Sequence, residues 1–371
     1  MSGNTEITKR TAERNQFLGL WPHEIAFLAL LAAAFYFSQI RGPWWPPAFF
    51  FTLLLGALPL LIFRCREEWR RLPNRFLFFL LLAAWLAFFS LLGNSTFGYL
   101  DSSSLFLWMF DIYTSPTADE QQGMILPFVV FVLLWWKRKE LVAQPAKLWP
   151  PAIGLIALGL LIHVVGYVIQ QPRVSVVGFF AGLYGLTGLA WGKHWLKASL
   201  FPFFLFAFCM PIGQLADPLT MPLRLLVAKI VVVVARTALA LPPSDLIREG
   251  TQLFNASHTF AYEVAAACSG IRSIVALLAL MTIYGFVNFQ TPWKRAAMML
   301  AALPLAVLGN VVRLCCTITV AEFFGQDAGK MVETNLGFIT FAVAIGCAFL
   351  LARWLEKGEP KLKTETQPAP A

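Results

Sequence analysis

The chain has 371 residues, of which 58% are hydrophobic and 13% are charged, and its mean hydropathy is +0.67. A soluble domain carries about a quarter charged residues, so this composition excludes a soluble globular protein and predicts a polytopic membrane protein. The net charge of +9 mainly reports topology, because Lys and Arg gather in cytoplasmic loops. The basic residues are not interleaved with aromatic residues in a patch, so no nucleic-acid partner is predicted.

The N-terminal half alternates apolar runs with polar loops. Residues 1–23 are polar and basic, and no small-residue cleavage pattern follows the first apolar run, so we predict a cytoplasmic segment before an uncleaved helix. Spanning helices need ~20 mostly apolar residues. The runs predict transmembrane helices at residues 24–40, 47–63, 76–93, 124–136, 148–169, 174–191 and 199–215. The polar stretch 94–123 is nearly free of Lys and Arg, which predicts an extracytoplasmic loop.

The C-terminal half contains three further apolar runs and one ambiguous segment. Residues 221–241 are apolar but include Arg224, Lys229 and Arg236, so this segment either spans the bilayer with its charges facing protein or lies in the interface. A polar loop is predicted at 242–262. Helices are predicted at 269–287, 297–320 and 334–354, with a loop at 322–333 and a charged, Pro-rich, disordered tail at 357–371.

Together these elements predict an all-α helical bundle with about 8–10 transmembrane helices. N-terminal transmembrane helices would occupy residues 24–197, and a C-terminal core would occupy residues 198–356. Basic residues before the 297–320 helix and after the last helix predict that both places are cytoplasmic, as is the N-terminus. The start of the 269–287 helix and the loop before the last helix are then extracytoplasmic. This orientation favours an interfacial position for the ambiguous segment, because another spanning helix would invert the topology.

A cysteine stands at the predicted outer end of the 269–287 helix. Cys268 precedes Ser269-Gly270, and Arg272 lies four residues on, on the same face if the helix includes Cys268. The thiolate is the nucleophilic form of cysteine, and both a helix N-terminus and a nearby guanidinium favour it. Cys268 is therefore either a nucleophile or a small buried hydrophobic residue. The cysteines form no CxxC pair, so neither a zinc site nor a disulfide framework is predicted.

An arginine lies inside the predicted helix 297–320. Arg313 is costly at membrane depth and needs a partner or a water-filled cavity, and Asn310 lies one turn before it on the same face. One interpretation is a structural pair between Arg313 and a buried acid. The other is a fixed cation facing Cys268, where it would stabilise the thiolate and the oxyanion of an acyl intermediate.

Several short motifs follow one another in this half of the chain. They are Met210-Pro211 after a Phe-rich helix, Arg248-Glu249-Gly250, Glu263 through Cys268-Ser269-Gly270 with Arg272 and Ser273, and Asn310-x-x-Arg313. In this order and at these spacings, they resemble the exosortase/archaeosortase family of membrane transpeptidases over about residues 200–350. The resemblance implies that Cys268 and Arg313 are catalytic.

The third catalytic residue implied by the family is usually a histidine four residues before a glycine at the start of the last helix. Here that glycine resembles Gly337, and Glu333 stands four residues before it. Three explanations stay open. Glu333 replaces the histidine as base, since a desolvated carboxylate can be tuned for proton transfer; His258 in the preceding loop supplies an imidazole; or the activity has been lost. We favour Glu333 for its position and predicted side, and Glu263 could pair with Arg272 or Arg313.

The resemblance implies a function as well as a site. The chain would be a membrane cysteine transpeptidase whose site faces the extracytoplasmic side, and its partners would be exported proteins with a C-terminal sorting signal of a Pro-Glu-Pro-like motif, a membrane helix and a basic cluster. A surface acceptor, such as a lipid or a polysaccharide, or water would resolve the thioester, and no metal or organic cofactor is needed. The alternatives are a non-catalytic homologue that binds sorting signals, and a membrane transporter or assembly factor, which should show internal repeats that this sequence lacks.

Overall fold

The computed structural model describes residues 72–96, 102–115, 122–212, 217–237, 246–254, 261–263 and 271–356. The predicted cytoplasmic segment 1–23, the predicted helices 24–40 and 47–63, and the tail 357–371 lie outside these residues. The chain divides into two compact units, Met1–Ile212 and Gly213–Ala371.

The first unit is helical throughout its described part. Its helices are α1 (Arg75–Leu92), α2 (Leu105–Thr114), α3 (Gln122–Trp136), α4 (Arg138–Ala143), α5 (Ile153–Val168), α6 (Pro172–Trp191) and α7 (Lys193–Phe204), with 3-10 turns at Pro150–Ala152 and Leu205–Cys209. Several long-range hydrogen bonds join these elements, and two of them involve α1 and α2. The Trp85 indole of α1 donates to the Phe179 carbonyl of α6 at 3.1 Å, and the Tyr113 hydroxyl of α2 donates to the Cys209 carbonyl.

Glycines let α5 and α6 pack backbone against backbone. A Cβ added to Gly159 would lie 2.7 Å from the Gly178 carbonyl oxygen, and one added to Gly178 would lie 2.9 Å from the His163 backbone nitrogen. Small residues at helix interfaces bring helices close enough for dispersion contacts, which drive association where lipid removes the hydrophobic advantage. The pair also shares one buried polar contact, because His163 Nδ1 lies 3.0 Å from Ser175 Oγ.

Gly182→Ala is expected to destabilise the first unit by about 1–3 kcal/mol, since overpacking a well-filled interface costs this much. The added Cβ would collide with the Trp85 ring. Thermal unfolding of the purified full chain in detergent measures the loss. Gly154→Ala is the matched control, because a Cβ there meets nothing within 4 Å. Equal midpoints for the two variants would contradict this account of the packing.

The second unit contains four helices and a small sheet in its described part. They are α8 (Asp217–Thr237), β1 (Ile247–Glu249), β2 (Gln252–Phe254), β3 (Ala261–Glu263), α9 (Ile271–Asn288), α10 (Pro292–Phe324) and α11 (Gln326–Glu356). The strands form an antiparallel meander in the order β1-β2-β3. Thr251 and Gly250 close the β1–β2 hairpin, and Gly250 has a φ of 60°, which a two-residue hairpin loop requires at its first position.

The structure confirms the all-α polytopic fold class. Among the described residues, four segments are long and apolar enough to cross a membrane: Arg75–Leu92, Pro150–Val168, Pro172–Trp191 and Pro292–Phe324. Shorter apolar helices cover Leu105–Thr114, Gly123–Trp136 and Ile274–Asn288. α8 is not one of these spans, and it carries the three basic residues that made the 221–241 segment ambiguous.

Three predicted boundaries in the chain were wrong. The predicted loop 94–123 contains α2, whose Leu105, Phe106 and Met109 are buried, so its apolar residues form a short helix between polar ends. The predicted helix 199–215 begins earlier, as α7, and changes to a 3-10 turn that ends at Cys209. The predicted loop 242–262 contains strands β1 and β2 and the start of β3.

The predicted loop 322–333 was also wrong. Gly325 alone separates α10 from α11, and its φ of 88° lies in the left-handed region that glycine adopts without steric cost. A single residue in this conformation reverses the chain, so the polar residues after it belong to the first turns of α11 and not to a loop. The last helix therefore starts at Gln326, before the predicted residue 334.

Candidate active site

The start of α9 lies at the same end of the second unit as the middle of α10. Residues 289–291 join the two helices, and Gly285 of α9 lies close to Arg295 and Met298 of α10. Ile271, the first residue of α9, lies fourteen residues before Gly285. Gly309 and Val312 lie fourteen residues after Arg295 and Met298 in α10. Since both helices rise by ~1.5 Å per residue, the first turn of α9 is level with the Asn310-to-Arg313 turn of α10.

α11 returns towards the same level, antiparallel to α10. It runs back along α10 from the reversal at Gly325, and the two helices pack along a cluster that includes Ala302, Ala306, Ala344 and Ala348. Small residues at these positions allow the helices to approach closely. Arg313 lies twelve residues before the reversal, and Glu333 lies eight residues after it.

A polar stripe follows one face of α10. Asn310, Arg313 and Thr317 are spaced by three and four residues, so they share a face. Asn310 is only 7% exposed and Thr317 is fully buried. Arg313 Nε and Thr317 Oγ1 are buried and have no hydrogen-bond partner among the described residues. Buried polar groups are normally paired, so these two groups indicate a place where a polar ligand or another part of the chain is needed.

Arg313 forms no ion pair with any side chain that the structure describes. One interpretation was that Arg313 pairs with a buried acid. None of the described side chains is such an acid. A guanidinium that is half-buried in an apolar helix retains most of its charge field, because the surrounding dielectric constant is low. It is suited to hold a negative charge that develops beside it.

The neighbouring face of α10 is a packing surface. Leu314, Cys315 and Ile318 are buried in one cluster with α8 residues, and Leu246 and Leu253 bring the sheet into the same cluster. The Arg236 guanidinium at the end of α8 donates to the Leu246 carbonyl at 3.0 Å. These contacts fix the sheet against α10 next to the polar stripe, and Cys315 is a packing residue.

The sheet ends where the segment with Cys268 begins. Glu263 is the last residue of β3, and its Cα is paired with that of Gln252 in β2. The Arg248 guanidinium donates to the Gly250 carbonyl at 3.0 Å, across the hairpin turn. The segment 264–270 then joins β3 to α9, so both of its flanking elements belong to the second unit.

The structure gives the positions of some predicted site residues, and their roles stay predictions. Asn310 and Arg313 lie together on α10 as predicted. The backbones of Glu263, Arg272 and Glu333 lie in β3, the first turn of α9 and α11, and their side chains are outside the description, as are Cys268 and His258. Sequence reasoning missed Thr317, although its position four residues after Arg313 was the signal that would have found it.

Comparison with known families assigns the chain. The transmembrane exosortase model matches residues 113–350. The chain belongs to the transmembrane exosortase family. Comparison with curated proteins and with solved structures found no match.

The exosortase match extends further than the motifs alone indicated. It begins at Tyr113 in α2, well before residue 200, where we placed the start of the resemblance. The exosortase region therefore includes much of the first unit as well as the second unit up to Leu350. The Met210-Pro211 motif lies directly after the 3-10 turn that follows α7. Arg248-Glu249-Gly250 covers the end of β1 and the first residue of the β1–β2 turn.

Proposed function

We propose that this exosortase-family protein is a membrane cysteine transpeptidase that cleaves C-terminal sorting signals of exported proteins. Cys268 is the nucleophile, Arg313 stabilises negative charge, and Glu333 moves the proton. Family membership supports the class of activity. The observation that carries the residue assignment concerns Arg313 Nε, which is buried and has no hydrogen-bond partner among the described residues. It is level with the start of α9, three residues after Cys268.

The proposed first step forms a thioester. Glu333 accepts the thiol proton of Cys268, and the sulfur attacks the scissile carbonyl carbon, which places negative charge on the carbonyl oxygen. Arg313 donates to this oxyanion, an interaction that strengthens in the transition state and so lowers the barrier. The tetrahedral intermediate then collapses, and the C–N bond breaks as the leaving amine takes the proton from Glu333. The released fragment is the membrane helix with its basic cluster.

The second step transfers or hydrolyses the acyl group. The amine or hydroxyl of an acceptor, or water, loses its proton to Glu333 and attacks the thioester carbon, and Cys268 leaves as the thiolate. Neither step requires an oxidant or a reductant. A lipid or polysaccharide acceptor fits a site at the membrane surface.

A site on the extracytoplasmic face fits this substrate class. The positive-inside pattern of the sequence puts the start of α9 on that side and both termini in the cytoplasm. A sorting signal with a membrane helix and a cytoplasmic basic cluster would then have its cleavage point at the same interface as Cys268. Asn310, Arg272 and Glu263 would support the site by orienting Arg313 or the 264–270 segment.

Glu333→Gln is expected to lower substrate cleavage by about 10²–10⁴-fold, the usual contribution of a general base. Glutamine keeps the size and removes the proton acceptor. The shortened substrate is quantified from cells that co-express the protein with a candidate sorting-signal substrate. His258→Gln is the paired variant. If His258→Gln abolishes cleavage and Glu333→Gln does not, the imidazole is the base and our assignment of Glu333 is wrong.

The same co-expression assay separates the proposed function from its alternatives. A non-catalytic homologue would bind the sorting signal without shortening it, and this binding would survive Cys268→Ala. A transporter or assembly factor would neither bind nor shorten the signal. A shortened substrate in the wild type and an intact substrate with Cys268→Ala support the transpeptidase.

A further inference from the structure

One surface of the first unit joins exposed lysines to an apolar groove. α7 presents Lys193, Lys197, Leu200 and Phe204 at spacings of four, three and four residues, and all four residues are exposed. This spacing places them on one helical face. Two ammonium groups are therefore followed along the same face by an apolar strip. Lys197 and Leu200 are about 4.5 Å apart along the helix axis.

The groove lies between α6 and the stretch from α7 into its 3-10 turn. Its volume is ≈ 390 Å³, and it is lined by residues that include Val177, Phe180, Leu200, Phe203, Ala207 and Met210. The rings of Phe180 and Phe206 stack at 4.2 Å, and those of Phe203 and Phe206 meet edge to face at 5.6 Å. Interlocked aromatic rings make a stiff wall, so the groove is largely preformed.

The described residues of the lining provide no free hydrogen-bonding group. Tyr184 contributes a hydroxyl, but that hydroxyl donates to the Leu196 carbonyl at 2.6 Å. The other lining side chains are hydrocarbon apart from the Met210 thioether. An occupant must therefore be apolar over the length of the groove.

The position of the lysines determines which end of the groove the polar part of a bound molecule would occupy. Only Gly192 separates α6 from α7, so Lys193 and Lys197 follow directly after the end of a membrane-spanning segment. This is the depth of lipid headgroups, and the positive-inside rule predicts the cytoplasmic leaflet. Neither lysine forms an ion pair with a described residue.

We propose that this surface binds one anionic phospholipid, with its phosphate on Lys193 and Lys197 and an acyl chain in the groove. Charge complementarity supplies the headgroup contact. The two lysines favour a lipid over an apolar helix from a partner, because such a helix brings no anionic group to the ammonium groups. A single hydrocarbon chain fits the groove, and the exposed sides of Leu200 and Phe204 open it to the bilayer.

Lipid binding to the purified full chain in detergent tests this inference. The probes are phosphatidylglycerol and phosphatidylcholine with identical acyl chains, titrated by native mass spectrometry without any peptide substrate. Each of the two lysines is expected to raise the affinity for an anionic headgroup by about fivefold. Phosphatidylglycerol is therefore expected to bind about 25-fold more tightly than phosphatidylcholine. The double variant Lys193→Gln/Lys197→Gln should lose this preference and keep the affinity for phosphatidylcholine.

Two further variants locate the site. Lys229→Gln/Lys330→Gln removes the same charge from two exposed lysines of the second unit, and it should keep the preference. Ala207→Phe fills the groove and should weaken both lipids. Equal binding of the two lipids by the wild type, or an equal loss in both lysine pairs, would overturn the proposal. So would displacement of the lipid by an uncharged transmembrane peptide, which would assign the groove to a helix.

Discussion

Cys268→Ala is expected to lower cleavage of a co-expressed sorting-signal substrate by at least about 10³-fold, because removing a nucleophile leaves only the binding and charge-stabilising parts of the site. The fraction of shortened substrate after a fixed induction time measures the loss. Cys315→Ala is the matched control, since Cys315 is buried in the packing cluster between α8 and α10. It should keep cleavage, although its loss of packing could reduce the amount of folded protein.

Both cysteine variants are therefore compared at equal amounts of folded protein. Cleavage by Cys268→Ala at the wild-type rate would remove the proposed nucleophile from the mechanism. A selective loss of cleavage with Cys315→Ala would place the chemistry on the packed face of α10 instead of the polar stripe.

Arg313→Gln should lower cleavage by about 10²–10³-fold, the usual cost of removing one oxyanion donor. The same change should leave the free energy of unfolding unchanged or raise it. Arg313 Nε is buried, and no described residue accepts a hydrogen bond from it, so no described partner offsets the desolvation cost of this N–H group. Cleavage assays and thermal unfolding of the purified protein give the two readouts.

The stability readout distinguishes the two interpretations of this arginine. If Arg313 formed a structural ion pair, removing it would leave a buried acid unpaired and destabilise the protein by about 3–5 kcal/mol. Arg353→Gln is the control, because Arg353 is an exposed arginine in the last turn of α11. A large drop in the unfolding midpoint for Arg313→Gln alone would contradict a role in charge stabilisation.

The sequence predicted the membrane helices well where composition alone decides. α1 and α6 lie within two residues of their predicted bounds, because an uninterrupted apolar run of bilayer length has few other stable structures. α2 was missed because its ten residues are too few to form the apolar run of a membrane-spanning helix. Its burial depends on tertiary contacts, for example those of Trp108, which the sequence alone does not reveal.

The reversal at Gly325 shows why the loop prediction was wrong. Polar residues such as Glu322 and Asp327 suggested a long loop, but one glycine in the left-handed region is sufficient to join two helices. Nothing in the composition of 322–333 distinguishes a polar helix start from a loop. The conformation of Gly325 depends on the packing of α11 against α10, which is a tertiary effect.

The positions of Asn310 and Arg313 in the candidate site could be predicted from the sequence, and their catalytic roles stay predictions. The sequence motifs identified Asn310 and Arg313, and the helical spacing correctly placed them on one face. The burial of Arg313 Nε without a described partner and the extension of the polar stripe to Thr317 required the fold. The start of α9 is level with Arg313 because only three residues connect α9 to α10 after Asn288. Helix propensity does not determine the length of this connection.

The most direct test of the central claim is to intercept the acyl group with hydroxylamine. Membranes that contain the wild-type protein and a sorting-signal substrate are treated with hydroxylamine at neutral pH, and the new C-terminus of the shortened substrate is identified by mass spectrometry. A thioester at Cys268 predicts a C-terminal hydroxamate in the wild type and none with Cys268→Ala. Cleavage that yields only a free carboxylate and continues in Cys268→Ala would contradict covalent catalysis by Cys268.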